Sequence, residues 1–597
     1  MAKYRMHLML CAGTGCVSNK SIKISEVLEK ELKKHKLEAE ILVVLTGCNG
    51  FCAQGPIMVV HPDEIFYQML TERDIPHLVE EHFLKGRPVR KLMYTPPKEK
   101  TPVPKMSDIG FFKEQRLVAL RNRGLIDPEK IDEYIARDGY SALARALTSM
   151  TPETIIKEIK DSGLRGRGGA GFPTGRKWEF AARAKAEEKY IICNADEGDP
   201  GAFMDRSIVE SDPHSVLEGM TIGAMAIGAR HGYIYIRSEY PIAVERMRKA
   251  IKQAREYGLL GEDILGTEFE FEVSVHQGAG AFVCGEETSL IASLEGRPPE
   301  PRIRPPFPAQ SGLWGKPTNI NNVETWANVP EIINRGASWY SQLGTDTSKG
   351  TKVFSLVGKV KNTGLIEVPM GITLRKIIYD IGGGILEDKK FKAIQTGGPS
   401  GGCIPEKLLD LPIDYEKLTE VGSIMGSGGM IVMDEDTCMV DVARYFVDFL
   451  RGESCGKCTS CREGLESMYQ VLTGICEGKG KEDDVELLQE LGAAIKDGSM
   501  CALGGTAANP VLSTIRYFEN EYQSHIRDQR CPAGVCRELI QYLIDREECT
   551  GCLLCVKNCP GNAISGKRKE PVHLDQEKCI KCGVCLEVCK FKAVLVE

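Results

Sequence analysis

The grouping of the cysteines is the feature that most constrains what this chain can fold into. The sequence has 597 residues and 23 cysteines, and most of the cysteines stand in short clusters. The N-terminus lacks the apolar region and cleavage site of a signal peptide, so we expect a cytoplasmic protein. In that reducing compartment, clustered cysteines serve as metal ligands or redox centres rather than as disulfides.

The end of the chain repeats one cysteine spacing twice. Both runs have the pattern CxxCxxCxxxC, which is typical of bacterial ferredoxins with two 4Fe-4S clusters. In that pattern the fourth cysteine of each run binds the cluster of the other run. The predicted ligand sets are Cys549, Cys552, Cys555 and Cys589 for one cluster, and Cys579, Cys582, Cys585 and Cys559 for the other.

A third 4Fe-4S motif lies in the preceding, helical part of the chain. The sequence ESCGKCTSCREG places three cysteines a turn apart, and a fourth follows at a distance. This arrangement favours a 4Fe-4S cluster over zinc, since a zinc site would usually show two CxxC pairs. The predicted ligands are Cys455, Cys458, Cys461 and Cys501.

Four cysteines near the N-terminus follow predicted strands of a small α/β unit. Cys11 and Cys16 lie in one loop, and Cys48 and Cys52 in another. Two paired loops can enclose a 2Fe-2S cluster, and a zinc site is the alternative. The arrangement resembles the thioredoxin-like 2Fe-2S ferredoxins.

Two cysteines in the sequence RCPAGVC, Cys531 and Cys536, precede the ferredoxin-like runs. With His525 and the otherwise unexplained Cys438 they would supply three sulfurs and one imidazole, which is a common zinc set. The alternative is that both thiols bind no metal.

A glycine-rich stretch, Gly163 to Phe180, reads GLRGRGGAGFPTGRKWEF. It matches GxGxxG, but the segment before it is predicted to be a helix, so the dinucleotide fingerprint lacks its strand. The cations Arg165, Arg167, Arg176 and Lys177 favour a phosphate over a plain glycine loop, because backbone N–H groups approach an anion closely and the cations neutralise it.

Three more polar segments follow this stretch. A predicted buried strand ends in the acidic turn Asn194 to Gly201, which indicates recognition of hydroxyls, amides or metals, with a solvated turn as the alternative. The stretch GAGAFVCGEET, Gly278 to Thr288, is a glycine turn with paired carboxylates. Arg297 to Thr325 is rich in prolines and amides and is expected to form an ordered loop.

These four segments occur in the order found in the NADH-binding flavoprotein subunit of complex I, and the chain resembles that family and its relatives in NAD-linked hydrogenases and formate dehydrogenases. The resemblance implies that FMN and NAD(H) bind here. It implies FMN contacts from Gly166, Arg167, Gly169, Lys177, Asn194, Asp196, Glu197, Gly285, Glu286, Asn321, Asn322 and Thr325. It implies nucleotide contacts from Phe172, Phe180, Arg304 and Phe307, and catalytic carboxylates at Glu197, Asp199, Glu286 and Glu287.

Three positions depart from the family pattern. Asp199 stands where a glutamate is usual, Phe282 where a tyrosine is common, and Arg304 where a lysine is common. The shorter Asp199 would hydrogen-bond the nicotinamide or ribose more loosely. The choice between NADH and NADPH therefore stays open.

The predicted architecture is a multidomain α/β protein. Its parts are a thioredoxin-like 2Fe-2S domain (1–94), a proline-rich linker (95–107), a Rossmann-like FMN and NADH domain (108–335), a β-grasp, SLBB-like domain (336–425), a helical 4Fe-4S domain with the candidate zinc site (426–540) and a two-cluster ferredoxin-like domain (541–597). The linker suggests that the first domain is a fused module rather than part of the main body. The net charge of −7 argues against nucleic acid as a partner, and no apolar run predicts a membrane span.

This set of domains resembles the beta subunits of NAD-dependent, electron-bifurcating iron-only hydrogenases. The resemblance implies a reversible coupling of hydrogen oxidation to reduction of NAD and ferredoxin, within a hetero-oligomer. The implied partners are a hydrogenase catalytic subunit, a small thioredoxin-like 2Fe-2S subunit and ferredoxin. The alternatives are the diaphorase subunit of a formate dehydrogenase or non-bifurcating hydrogenase and, from another class, a flavin-free relay or assembly scaffold.

Overall fold

The computed structural model describes residues 4–97 and 99–596. The described chain forms two compact units. The first contains residues up to Val432 together with the short segment Met500–Ala502, and the second contains Met433–Ser499 and the chain from Leu503 onwards. Lys98, in the predicted linker, and the terminal residues of the first and last predicted domains lie outside the described residues.

The N-terminal domain is a four-stranded sheet in the order β2-β1-β3-β4 with helices packed on it. Strands β1 and β2 are parallel, and β3 and β4 are antiparallel to their neighbours. The apolar pattern of the sequence correctly predicted the first three of these strands and the long helix, but not the fourth strand. The elements are β1 (Met6–Cys11), α1 (Thr14–Ser18), α2 (Ser21–Lys34), β2 (Ile41–Thr46), β3 (Met58–His61), β4 (Ile65–Tyr67) and α3 (Ile75–Leu78).

The second domain is a parallel four-stranded sheet, in the order β7-β6-β5-β8, with helices on its faces. As expected, a helix and not a strand precedes the glycine-rich stretch, and Thr151 caps it by accepting a hydrogen bond from the Thr154 N–H. The elements are α4 (Gly110–Lys113), α5 (Ile131–Ile135), α6 (Ser141–Ser149), α7 (Pro152–Asp161), α8 (Thr174–Arg183), β5 (Tyr190–Ala195), α9 (Met204–Ser211), α10 (Pro213–Ile227), β6 (His231–Arg237), α11 (Pro241–Glu256), β7 (Glu272–Gly278), α12 (Glu287–Leu294), β8 (Thr318–Asn322), α13 (Val323–Arg335) and α14 (Ala337–Ser341).

The third domain is a mixed five-stranded sheet in the order β10-β9-β13-β11-β12. Its elements are β9 (Thr351–Gly358), β10 (Gly364–Pro369), β11 (Phe391–Thr396), β12 (Gly402–Pro405), α15 (Tyr415–Glu420) and β13 (Gly429–Asp434). The predicted boundary at residue 425 is wrong, because β13 pairs in parallel with β9 at the centre of this sheet. A polar, glycine-rich loop before β13 concealed that strand in the sequence.

The N-terminal domain belongs to the same compact unit as the flavin domain, which corrects the expectation of a separate module. The loop that carries Cys48 and Cys52 makes backbone hydrogen bonds with the third domain. The Leu365 N–H donates to Gly50 O at 2.7 Å, and the Ala53 N–H donates to Thr363 O at 3.0 Å. The linker also folds back, since the Val103 N–H donates to Tyr94 O at 2.8 Å. It is therefore an irregular edge of the domain rather than a free spacer.

The second unit contains a helical bundle and the ferredoxin-like domain. The bundle packs α16 against α17 and α20, and α18 against α17 and α20. In the ferredoxin-like domain two short antiparallel strand pairs, β14 with β17 and β15 with β16, accompany two short helices. The elements are α16 (Met439–Glu453), α17 (Thr459–Cys476), α18 (Asp484–Gly498), α19 (Ala502–Thr506), α20 (Asn509–Ile526), β14 (Tyr542–Ile544), α21 (Leu554–Asn558), β15 (Ile564–Ser565), β16 (His573–Leu574), α22 (Val584–Val588) and β17 (Val594–Val596).

Within residues 4–97 and 99–596, none of the helices combines the length and the apolarity that crossing a bilayer requires.

Candidate flavin, cluster and metal sites

The order of the strands locates the flavin site. The chain runs from β5 outwards to β6 and β7, and then returns to place β8 on the other side of β5. In open parallel sheets, ligands bind at the carboxyl ends of the strands where the order reverses in this way. β5 ends at Asn194 and Ala195, and β8 ends at Asn321 and Asn322. The predicted FMN residues on both strands therefore meet at one edge.

The glycine-rich loop lies over this edge. The Gly166 N–H donates to Phe172 O at 2.9 Å and closes the loop at its base. Gly169 has φ +126°, a conformation that favours glycine. A Cβ at Gly168 would lie 3.0 Å from the Asn322 Cβ. The loop thus brings backbone without side chains close to the end of β8, which fits a flavin phosphate that is bound by backbone N–H groups.

Two cations and one carboxylate stand beside the loop. The Lys177 ammonium donates to Ile320 O at 2.6 Å and forms an ion pair with Glu287. The other oxygen of Glu287 lies 3.8 Å from Nη1 of Arg304. One carboxylate shared by two cations leaves an excess positive charge, which suits a phosphate ligand.

The arginines of the loop have internal partners instead. The Arg167 side chain is fully buried and donates to the Tyr340 hydroxyl at 3.0 Å and to Lys349 O at 2.6 Å. Its backbone N–H donates to Thr325 Oγ1 at 2.9 Å. Arg165 donates to Gly171 O at 2.6 Å. The expectation that these two guanidinium groups neutralise a phosphate does not fit, because both of them shape the loop.

Two predicted catalytic carboxylates cap helices. Glu197, which is 4% exposed, accepts hydrogen bonds from the N–H groups of Met204 at 2.7 Å and Asp205 at 3.1 Å, at the start of α9. Burial raises the pKa of Glu197, and these N–H groups counteract the shift. Glu286 accepts from the N–H of Thr288 at 2.8 Å at the start of α12. Both carboxylates therefore anchor these helices in the structure, and their catalytic role stays a prediction.

The remaining polar residues of the acidic turn bind its neighbours. The Asn194 side-chain amide donates to Gly285 O at 3.0 Å, and Asp196 lies 3.4 Å from an Arg237 nitrogen. The Ser427 hydroxyl donates to Asp199. Burial raises the pKa of Asp199 to about 6. A contact of Asp199 with the nicotinamide would compete with this serine.

The aromatics expected to hold the nucleotide are exposed. Phe172 is 45%, Phe180 46% and Phe307 52% exposed, and the Arg304 guanidinium carbon lies 6.0 Å from the centre of the Phe307 ring. The exposure of these rings next to the loop fits stacking of a nucleotide base.

The third domain contributes residues that sequence reasoning missed. The Tyr415 hydroxyl, on α15, donates to Gly166 O at 2.8 Å, and the guanidinium carbon of Arg165 lies 4.3 Å from the Tyr415 ring centre. Ser427 reaches Asp199 from the loop before β13. This domain therefore supports the flavin loop, beyond the scaffold role expected for it. No motif in the sequence marked either residue.

The four N-terminal cysteines converge. The Cys11 side chain contacts those of Cys16 and Cys48, and Cys48 contacts Cys52. The contacts with Cys11 and Cys52 lower the pKa of the Cys48 thiol. A Cβ at Gly55 would lie 2.9 Å from the Cys16 sulfur. Four converging thiols, with a glycine backbone close to one of them, fit a 2Fe-2S cluster.

Two cavities in the ferredoxin-like domain are lined by the predicted ligand sets. Each cavity contains three cysteines of one run and the fourth cysteine of the other run. The first is lined by Cys579, Cys582, Cys585 and Cys559, and the second by Cys549, Cys552, Cys555 and Cys589. The structure thus brings together the crossed sets that the spacing predicts, and these fit two 4Fe-4S clusters.

In the helical domain, Cys455 and Cys458 precede α17, and Cys461 lies in its first turn. Cys501 belongs to the segment Met500–Ala502, which is grouped with the first unit. The four-cysteine cluster therefore stays a prediction.

The candidate zinc residues form a closed, buried group. The ligand atoms of Cys438, His525, Cys531 and Cys536 all lie within 4.8 Å of one another. Cys438 and Cys536 have their sulfurs 3.7 Å apart, and the His525 Nε2 is 3.4 and 3.3 Å from them. Tetrahedral zinc with ordinary bond lengths separates two sulfurs by about 3.8 Å and a sulfur from a nitrogen by about 3.5 Å.

The imidazole is oriented for such an ion. His525 Nδ1 lies 2.7 Å from Glu521 O, so a proton on Nδ1 leaves Nε2 to face the sulfurs. His525 comes from α20, and Cys438 caps α16. The site therefore ties the helical bundle to the segment that leads into the ferredoxin-like domain.

Five family models match successive parts of the chain. They are the thioredoxin-like 2Fe-2S ferredoxin (residues 2–82), the Nuo51 FMN-binding domain (159–331), the SLBB domain (353–404), the NADH-ubiquinone oxidoreductase-F iron-sulfur binding region (441–525) and the 4Fe-4S dicluster domain (541–590). The predicted fold classes of the domains are confirmed by these matches.

Full-length relatives match as well. The NADP-reducing hydrogenase subunit HndC of Solidesulfovibrio fructosivorans is 59% identical over 81% of this chain and 98% of the relative. The F 2 subunit of the NADH-quinone oxidoreductase of Rhizobium meliloti is 48% identical over 70% of this chain and 99% of the relative. Among solved structures, an NAD+-reducing NiFe hydrogenase in the H2-reduced state matches with a TM-score of 0.62 and 28% identity, over 88% of this chain and 86% of that one. With a relative this similar along nearly its whole length, the chain belongs to the family of NAD(P)H-dependent FMN iron–sulfur oxidoreductase subunits of hydrogenases and complex I.

Proposed function

We propose that this chain is the NADH-oxidising, NAD-reducing subunit of an electron-bifurcating hydrogenase. In the proposed reversible reaction, two hydrogen molecules release two electron pairs. One pair, together with one proton, converts NAD to NADH, and the other pair reduces ferredoxin. The remaining three protons go to water. The hydrogen-activating site would lie on a separate catalytic subunit, and a small thioredoxin-like 2Fe-2S subunit would complete the complex.

The single observation that carries the proposal is the combination of sites along one chain. The flavin edge and the 2Fe-2S cysteines lie in one compact unit, and two crossed four-cysteine cavities lie at the other end of the chain. A chain that only oxidised NADH for one acceptor would need fewer one-electron sites. HndC, whose name describes a hydrogenase subunit, matches over 98% of its length.

The residues at the flavin edge have distinct parts in this function. FMN, when bound, accepts an electron pair as hydride and releases electrons singly. The glycine loop offers N–H groups to the phosphate, and Lys177 and Arg304 balance its charge. Phe172, Phe180 and Phe307 hold the nucleotide base, and Glu287 keeps the two cations in place.

The coenzyme is proposed to be NAD(H), with NADP(H) as the competing choice. The name of HndC describes an NADP-reducing enzyme, and that of the complex I relative describes an NADH-oxidising one. In this chain Asp199 is held by Ser427. Because the two relatives are named for different coenzymes, both coenzymes belong in the assay.

We also propose that zinc binds at Cys438, His525, Cys531 and Cys536. The buried tetrahedral spacing supports this assignment. The ion would have a structural role, since four protein ligands leave no open position for a substrate.

The decisive experiment uses the isolated complex. NAD and NADP reduction by hydrogen is measured with and without oxidised ferredoxin, and ferredoxin reduction with and without NAD. Strict mutual dependence is the expected result. Reduction of NAD without ferredoxin would instead favour a non-bifurcating hydrogenase, formate-dependent reduction a formate dehydrogenase diaphorase, and absence of flavin and of NADH–dye activity a scaffold.

A further inference from the structure

Helix α9 connects the flavin edge to the 2Fe-2S site. Its first turn is anchored by the Glu197 carboxylate, and its last turn packs on the N-terminal domain. A Cβ at Gly47 would lie only 2.2 Å from the Ser211 Cα, and the Ser211 hydroxyl donates to Cys48 O at 3.4 Å. The helix has eight residues and is therefore about 12 Å long. Side chains on α9 can thus act on both sites.

Arg206 is the cation of this helix. Its guanidinium carbon lies 5.6 Å from the Phe203 ring centre and 5.2 Å from the Tyr240 ring centre. Its Nε is buried, has no hydrogen-bond partner among the described residues and lies 3.9 Å from Glu210 Oε1. Arg206 is thus held by two aromatic rings and by the carboxylate of Glu210, one turn further along α9.

Glu210 supplies the opposite charge one turn further along α9. Its side chain is only 1% exposed, and it accepts a hydrogen bond at 2.9 Å from the N–H of Thr14, the first residue of α1, which stands between Cys11 and Cys16. Two opposite charges on one helix therefore act on the same four-thiol site.

We propose that Arg206 and Glu210 are positioning residues that set the reduction potential of the 2Fe-2S cluster from the flavin-domain side. Reduction adds one negative charge to the cluster, so a nearby cation stabilises the reduced form and a nearby anion destabilises it. Arg206 raises the potential and Glu210 lowers it. The inference holds whichever final acceptor the complex uses, so it is independent of the proposed coupling to ferredoxin.

The test compares variants of the full-length chain that carry their clusters. The 2Fe-2S signal is followed by EPR in a redox titration of Arg206→Gln, Glu210→Gln and the double variant. We expect the ratio of reduced to oxidised cluster at a fixed potential to fall on the order of tenfold in R206Q and to rise by a similar factor in E210Q. For a one-electron centre, tenfold corresponds to about 59 mV. The double variant is expected near the wild-type value.

Three controls separate charge from packing. Arg206→Lys keeps the charge and is expected to restore most of the potential. Arg230→Gln removes an exposed cation of the same domain, which is paired with Glu270 at 2.9 Å, and is expected to leave the potential unchanged. The 4Fe-4S signals of the same samples serve as an internal reference.

The sign of the shifts decides the outcome. Shifts of equal sign in R206Q and E210Q, or unchanged potentials in variants with full iron content, would overturn the proposal, since a packing role has no charge sign. If R206Q fails to load the cluster, the upward shift in E210Q and the retained potential in R206K still support it, and their absence refutes it.

Discussion

Replacing Lys177 by alanine tests the placement of the flavin phosphate. The Lys177 side chain is 22% exposed and its ammonium contacts Ile320 O and Glu287 at the flavin edge. A hydrogen bond to a charged group contributes about 1.5–3 kcal/mol. At about 1.4 kcal/mol per tenfold, the Kd for FMN is expected to rise roughly 10- to 150-fold. With only Arg304 left to balance it, the Glu287 carboxylate would repel the phosphate more strongly and move the result towards the upper end.

The assay titrates FMN into the deflavinated chain and follows quenching of flavin fluorescence. Lys157→Ala is the matched control, because it removes a largely exposed lysine of the preceding helix that pairs with Asp161. Its Kd is expected to stay within about twofold of the wild type. Glu287→Gln removes the competing carboxylate, and the Kd is expected to fall. A K177A protein that is folded and binds FMN as tightly as the wild type would refute the phosphate placement.

Three further predictions concern pH, metal and clusters. Burial raises the pKa of Asp199 from 3.8 to about 6, so the charged form destabilises the fold increasingly as the pH rises from about 4 to 7. Asp199→Asn should therefore raise the free energy of unfolding by an amount that grows over this range to about 3 kcal/mol, which melting curves at several pH values would show. An equal gain at all pH values would contradict this. Cys438→Ala should lose one zinc per chain in elemental analysis, whereas unchanged zinc would exclude the site. Cys559→Ala should remove the cluster of the second cysteine run and Cys589→Ala that of the first, as EPR and iron content would show; the reverse pairing would disprove the crossed sets.

Local patterns predicted those parts of the site that depend on spacing. The crossed cysteine sets, the helix before the glycine loop and the strand ending at Asn194 follow from periodicity and motif spacing. The sequence also suggested the group of Cys438, His525, Cys531 and Cys536, because three sulfurs and one imidazole are a common zinc set. Such features depend only on residues that are close together in the sequence, or on the number and type of ligands that a metal site needs.

Features that depend on packing between domains could not be predicted. The side chain of Arg167 looked like a phosphate ligand, yet Tyr340 and Lys349, far along the chain, draw it into the core. Glu367 is fully buried and accepts N–H bonds from Val118 and Leu120, both at 2.9 Å. The only available signal was the presence of acids such as Glu210 and Glu367 within apolar segments, which indicates a buried partner without identifying it.

The close approach of Gly47 to Ser211 has a consequence for how the protein is made. The loop with Cys48 is complete long before α9, which packs on it, has been translated, since about 150 residues separate Cys48 from Met204. Domains fold from the N-terminus during synthesis at about 5–20 residues per second, so the loop stays open on the ribosome for roughly 8–30 s. Iron and sulfide donors can reach the thiols in that interval, before α9 closes over them. A substitution that speeds closure of this interface would therefore reduce cluster content without changing any ligand.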